Sequence, residues 1–130
     1  MEQMKINVKI KISALWVAVM FLYLYADVKT FYKSGILEQI IAGEVAGMQI
    51  TQMFLLGSAI LMAIPSVMIF LSLTLNDKVN RWVNIILGII YTGVIIMTLL
   101  MPGTWAYYIF YGIVEVVLTA LIVWHAWKWV

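Results

Sequence analysis

Between Trp82 and Trp127 the chain runs for 46 residues with a single charged side chain, Glu115. As one straight helix at 1.5 Å per residue that stretch would be ~69 Å long, more than twice the ~30 Å hydrocarbon core of a bilayer. It has to fold back on itself within a membrane. Pro102-Gly103 is the natural turn, because proline has no N–H to donate and biases the residue before it out of the helix, while glycine accepts either sign of φ. Two crossings follow, Trp82 to Met101 and Thr104 to Trp127, joined by a tight hairpin.

Charges divide the remainder in the same way, since a charge at the bilayer centre costs several kcal/mol. The fifteen uncharged residues from Ile12 to Ala26 become a full crossing, Lys9 to about Val28, when Lys9 and Lys11 snorkel to one surface and Asp27 sits at the other. Lys5, Lys9 and Lys11 ahead of this run imitate a signal peptide, but Leu24-Tyr25-Ala26 puts leucine where cleavage wants a small residue, so the segment reads as a permanent helix. From Val45 to Asn76 there are 32 uncharged residues, and the second crossing falls at about Met48 to Leu75, tilted or with its first turn in the interface. Pro65 lies inside it and reads as a kink whose freed carbonyl a neighbouring helix satisfies.

The chain is therefore expected to be an all-α integral membrane protein, a four-transmembrane-helix bundle forming one domain over residues 1–130. Composition agrees: 65% of residues are hydrophobic and 11% charged, under half the roughly 25% charged share of soluble domains. Eight scattered Lys+Arg and no cysteine leave no nucleic-acid partner and no disulfide scaffold to consider. The partner the composition does require is the lipid bilayer.

Basic residues orient the bundle. Lys5, Lys9, Lys11, Lys78, Arg81 and Lys128 collect on one side, against Lys29 and Lys33 on the other, which predicts both termini on the cytoplasmic face of the cell membrane. The one long connection, about Lys29 to Gly47, carries Ile36, Leu37, Ile40 and Ile41 at helical spacing opposite Glu38 and Gln39. It reads as a short amphipathic segment lying on the outer interface.

Glu115 is the one ionisable residue placed well inside a crossing, and such a residue is a functional-site hypothesis by default. Eleven residues after Thr104, it sits ~16 Å below the outer surface. Thr104, Tyr108, Tyr111, Glu115 and Thr119 fall within about 40° of a common line at 100° per residue, so the last helix has a polar stripe that turns Glu115 inward. At matching depth the third crossing offers Tyr91 and Thr92, on a helix whose Asn84, Gly88, Tyr91 and Thr98 also share a face. The second offers Ser58 and Ser66, with Gln52 nearer the outer end. The first carries Ser13, Trp16, Met20, Tyr23 and Asp27 on one stripe. With these faces turned inward the bundle encloses a small cavity, polar toward the outside, with Glu115 at its floor. The candidate ligand- or proton-binding residues are thus Glu115, Tyr111, Tyr108, Thr119, Tyr91, Thr92, Ser58, Gln52 and Asp27.

No Lys or Arg lies at Glu115's depth to hold it charged, and a neutral carboxyl there can donate a hydrogen bond. His125 stands alone near the inner end of the last crossing, and without cysteine no haem, iron–sulfur or zinc ligand set can be assembled within one chain. No metal and no resident cofactor are expected. Nor does any spacing assemble a nucleophile, a base and an orienting group, which speaks against an autonomous enzyme.

Several strings resemble a family of small, uncharacterised four-span prokaryotic membrane proteins: Tyr25-Ala26-Asp27, Gln49-Ile50-Thr51-Gln52, Ile64-Pro65, Asn80-Arg81-Trp82 with Asn84, Glu115-Val116, and Trp124 with Ala126-Trp127-Lys128-Trp129. The resemblance covers nearly the whole chain. In outline those proteins are similar to the DoxX-like group of four-helix membrane proteins, some of which work beside quinone-linked or thiol redox enzymes. An acidic residue often precedes the Ile-Pro pair in that pattern, whereas this sequence has Ala63.

Three functions remain open on these residues. The first is a binding or transport module holding a small or lipophilic ligand, with Glu115 as its protonatable contact. The second, implied by the DoxX-like outline, is a redox-associated subunit that binds a quinone through Tyr and Glu. The third is a ligand-free scaffold in which Glu115 is tied to Tyr91, Thr92 or Ser58. Any of them is compatible with a homodimer, although no GxxxG pair selects a dimer face.

Overall fold

A computed structural model describes residues 7–45, 47–101 and 104–129. It contains four helices long and apolar enough to cross a membrane: α1 (Val8–Thr30), α3 (Gln52–Thr74), α4 (Asp77–Leu99) and α5 (Ala106–Lys128), with a short α2 (Ile36–Ile41) between the first two. Each long helix has 23 residues, or ~34 Å at 1.5 Å per residue, enough for one crossing. The expected Pro102-Gly103 turn and Lys5 lie outside the described residues.

Capping explains where the helices begin. Asn7 Oδ1 accepts from Lys9 N, Thr51 Oγ1 from Phe54 N, and Asn76 Oδ1 from Val79 N, so three of the four long helices start on a side chain that satisfies an orphan amide. Two helices start elsewhere than the expected crossings. The helix of the third crossing begins at Asp77, ahead of Trp82, because Asn76 starts it and its first charged turn projects beyond the apolar run. The second begins at Gln52 rather than Met48, because Met48 and Gln49 form a strand, β2 (Met48–Gln49), paired antiparallel with β1 (Glu44–Val45). That ladder was not expected from the sequence. Gly43, at φ 83°, ends α2 in the left-handed region and turns the chain into β1, and its carbonyl accepts from Ile50 N at 2.7 Å to close the hairpin. Ile36 is buried beneath α2, whereas Leu37 and Ile41 stay exposed at the bundle's end.

The long helices form a ring in which α1 packs on α3 and on α5, and α5 packs on α4. Although a tight turn joins them, α3 and α4 touch only sparsely, so a seam runs between these two. One end of the bundle, the terminal end, holds the start of α1, the α3–α4 turn and the end of α5. The opposite loop end holds α2 and the hairpin.

The terminal half is closed by polar bonds. Asn84 Oδ1 accepts from Trp16 Nε1 at 2.7 Å and from Ser72 Oγ at 3.4 Å, while its amide donates to Asn80 O and Oδ1. Asn80 in turn donates to the Ser72 carbonyl at 2.7 Å, and Ser13 to that of Ile69 at 2.8 Å. Asn80, Asn84, Ser72 and Trp16 are all fully buried, so each polar group needs the partner it has. Lys9 pairs with Asp77 at 3.0 Å, and Arg81 donates to the Ala126 and Trp127 carbonyls at the end of α5.

Close approach of α4 and α5 depends on two glycines. A Cβ on Gly88 would lie 2.6 Å from Val123 Cγ2, and one on Gly112 would run into the Leu99 side chain. Gly57 and Gly93 have nothing within 4 Å of that position.

Candidate functional site

The loop half is not filled in the same way. A cavity of about 140 Å³ opens among all four long helices. Tyr23, Ala26 and Asp27 line it from α1, and Leu61 and Met62 from α3. Tyr91, Val94, Ile95 and Thr98 face it from α4, and Tyr108, Tyr111 and Glu115 from α5. Above it, toward the loop end, lies a wider vestibule of about 370 Å³ that shares Asp27, Thr98 and Tyr108 with the chamber. Lys33, Trp105 and Tyr107 belong to the vestibule alone. The three shared residues form a neck between the two spaces.

Local structure explains why these side chains converge. On α5, the four-residue steps from Tyr111 to Glu115 and from Glu115 to Thr119 keep one face turned inward, and Glu115 and Thr119 are buried. Tyr91 is fixed from two sides: its ring meets Trp16 edge to face at 6.0 Å, and its hydroxyl donates to the Leu61 carbonyl at 2.7 Å. That carbonyl is free because Pro65, four residues on, has no N–H to offer it. Tyr23 packs its ring 6.4 Å from that of Tyr91, and its hydroxyl is buried with no hydrogen-bond partner among the described residues.

Glu115 is 6% exposed and makes no hydrogen bond to any described residue. The three groups expected to tie it down are engaged elsewhere. Tyr91 holds Leu61, Thr92 bonds the Gly88 carbonyl and shares a hydrogen bond with the Thr119 hydroxyl, and Ser58 bonds the Phe54 carbonyl of its own helix. What the carboxyl faces is the chamber.

Of the nine candidate residues, the structure brings five together around one space: Glu115, Tyr111, Tyr108, Tyr91 and Asp27. Four are placed elsewhere. Thr92 and Thr119 bond each other at 2.7 Å in the α4–α5 interface, one turn deeper than Glu115. Ser58 and Gln52 lie on the exposed face of α3, and the Ser58 hydroxyl needs no inward partner because its own helix supplies an acceptor. Tyr23 and Thr98 shared the inward stripes yet stood outside the candidate set, and both line the chamber. The apolar contributions of Leu61, Met62, Val94 and Ile95 carry no chemical signal in the sequence. No cluster of three or more His, Cys, Asp or Glu able to hold a metal exists among the described residues.

Fold and cavity together define a small four-span membrane bundle, sealed at one end and hollow at the other, with a carboxyl opening into the hollow. The chain matches a family of unknown function, DUF6326, over residues 2–130, and belongs to it. This match by itself shows no likeness to the DoxX-like group. Neither the curated proteins nor the solved structures contain a match to this chain.

Proposed function

We propose that the chain is a membrane-embedded binding module, serving capture or transport, that admits a small lipophilic molecule from the loop end and holds it against Glu115. The observation that carries this reading is the state of Glu115. It is almost fully buried, has no protein hydrogen-bond partner among the described residues, and borders an open chamber. A buried carboxyl left without partners costs several kcal/mol, and a ligand in the chamber offsets that cost. Lys9, Lys11, Lys78, Arg81 and Lys128 at the terminal end outnumber Lys29 and Lys33 at the loop end. This bias supports a vestibule facing away from the cytoplasm.

The test is binding of three probes with one benzene-sized scaffold, namely benzylamine, benzyl alcohol and benzoate, to the protein in lipid nanodiscs. At least one should bind, with an affinity that changes with pH and is weakened at least fivefold in Glu115→Gln. Absence of binding by all three, or affinities indifferent to both the substitution and pH, would sink the proposal.

A further inference from the structure

The walls of the chamber narrow the ligand further. Four tyrosine rings, Tyr23, Tyr91, Tyr108 and Tyr111, surround a space that also holds two carboxyl groups, Glu115 deep in it and Asp27 at its neck. No Lys, Arg or His is among the residues lining it. Aromatic faces carry negative potential and attract cations, and rings grouped around one space form the usual cage for organic ammonium groups. A carboxylate in a low-dielectric setting adds a Coulombic attraction far larger than it would supply in water.

The vestibule shows what such walls attract. The Lys33 ammonium stands 5.0 Å from the centre of the Trp105 ring, so an aromatic wall of the vestibule already holds an alkylammonium group supplied by the chain itself. Size sets the other limit. At about 140 Å³ the chamber is close to the ~150 Å³ apolar cavity known to take up benzene. One aromatic ring or one trimethylammonium-sized head fills it, and the vestibule leaves room for a short tail.

We infer that the chamber is a site for a small organic monocation, an amine or quaternary ammonium with an apolar body, seated among the four tyrosines with its charge toward Glu115. This rests on the reading that the chamber holds a ligand at all, and the same three probes separate the two. Benzylamine should bind at least tenfold tighter than benzyl alcohol, with benzoate weakest, and the gap between amine and alcohol should shrink below threefold in Glu115→Gln.

The wild-type protein provides a second readout that does not depend on that variant folding. Lowering the pH protonates Glu115 while the amine stays cationic, so the amine's advantage should fade toward acid. Asp27 and Tyr23 from α1, Tyr91 from α4, Tyr108 and Tyr111 from α5, and Lys33 at the vestibule are the titratable groups around Glu115, and α3 presents only Leu61 and Met62. Of these, Asp27 is the only other carboxyl, and Asp27→Asn separates the two contributions. Benzyl alcohol binding as tightly as benzylamine, or benzoate binding best, overturns the cation assignment and leaves the ligand-binding reading standing. Failure of all three probes to bind overturns both.

Discussion

The Tyr91 hydroxyl donates a 2.7 Å hydrogen bond to the carbonyl of Leu61, the group on α3 that Pro65 deprives of its helical partner. One side chain thereby repairs the break in one helix, bridges the sparse seam between α3 and α4, and holds its own ring in the chamber wall.

Tyr91→Phe should therefore destabilise the bundle by about 0.6 kcal/mol, the mean for hydrogen bonds between membrane helices, and by no more than about 1.7 kcal/mol. The effect should depend on Pro65. In a Pro65→Ala background the new N–H can bond Leu61 within the helix, so the same tyrosine substitution should cost less. Unfolding in mixed micelles measures the double-mutant cycle, and equal costs in the two backgrounds would break the link between proline and tyrosine.

The Asn84 amide serves four hydrogen bonds in the closed half, linking Trp16 on α1, Ser72 on α3 and Asn80 on its own helix. Asn84→Ala leaves the Trp16 indole N–H and the Ser72 hydroxyl buried without their shared acceptor, at about 1–3 kcal/mol for each orphaned group. The loss should exceed that of Tyr91→Phe. Residue-specific NMR of the Trp16 indole N–H gives an independent check, since that proton should move upfield and lose protection from exchange. An unmoved Trp16 signal would mean that the Asn84 bond contributes nothing.

Legibility of this fold followed charge. Spacing between charged residues located four crossings, and 100° arithmetic on Thr104, Tyr108, Tyr111 and Glu115 pointed the carboxyl inward, because in lipid a charge in the wrong place costs more than any local preference can return. Ser58 faces outward for the complementary reason. A serine in a helix can satisfy itself on the carbonyl four residues back, as it does on Phe54, so its polarity carries no directional information. The helix starts at Asp77 and Gln52 were set by Asn76 and Thr51, capping signals that a purely hydrophobic reading passes over. Pro65 announced a freed carbonyl, but which neighbour would satisfy it depended on the helix order in the ring, and no residue pattern encodes that order. The chamber itself depends on what four separate helices fail to fill, so Leu61 and Val94 become site residues only once the bundle is assembled.

Gly88 should be far less replaceable than Gly57 or Gly93. A Cβ at Gly88 would stand 2.6 Å from Val123 Cγ2, and a β-branched valine has little rotamer freedom with which to move aside. Gly88→Ala should cost about 1–3 kcal/mol through overpacking, and Val123→Ala in the same chain should recover part of it. Gly57→Ala and Gly93→Ala meet open space and should be neutral or slightly stabilising, as expected for replacing glycine inside a helix. Thermal unfolding of the four variants measures the ranking, and a Gly57→Ala cost equal to that of Gly88→Ala would contradict the packing described for α4 and α5.

The proposed orientation can be measured directly, because the chain has no native cysteine and every introduced thiol reports one position. Gln39 is exposed on α2 at the loop end, and Lys78 is exposed in the first turn of α4 at the terminal end. With Lys9, Lys11, Lys78, Arg81 and Lys128 retained on the cytoplasmic face, a membrane-impermeant maleimide applied to intact cells should label Gln39→Cys and leave Lys78→Cys unlabelled until the membrane is permeabilised. The reverse pattern would turn the bundle over and open the Glu115 chamber to the cytoplasm. Its ligand would then arrive from metabolism within the cell rather than from the surroundings. Equal labelling of both sites in intact cells would indicate a dual orientation, in which two copies present the same chamber to opposite sides.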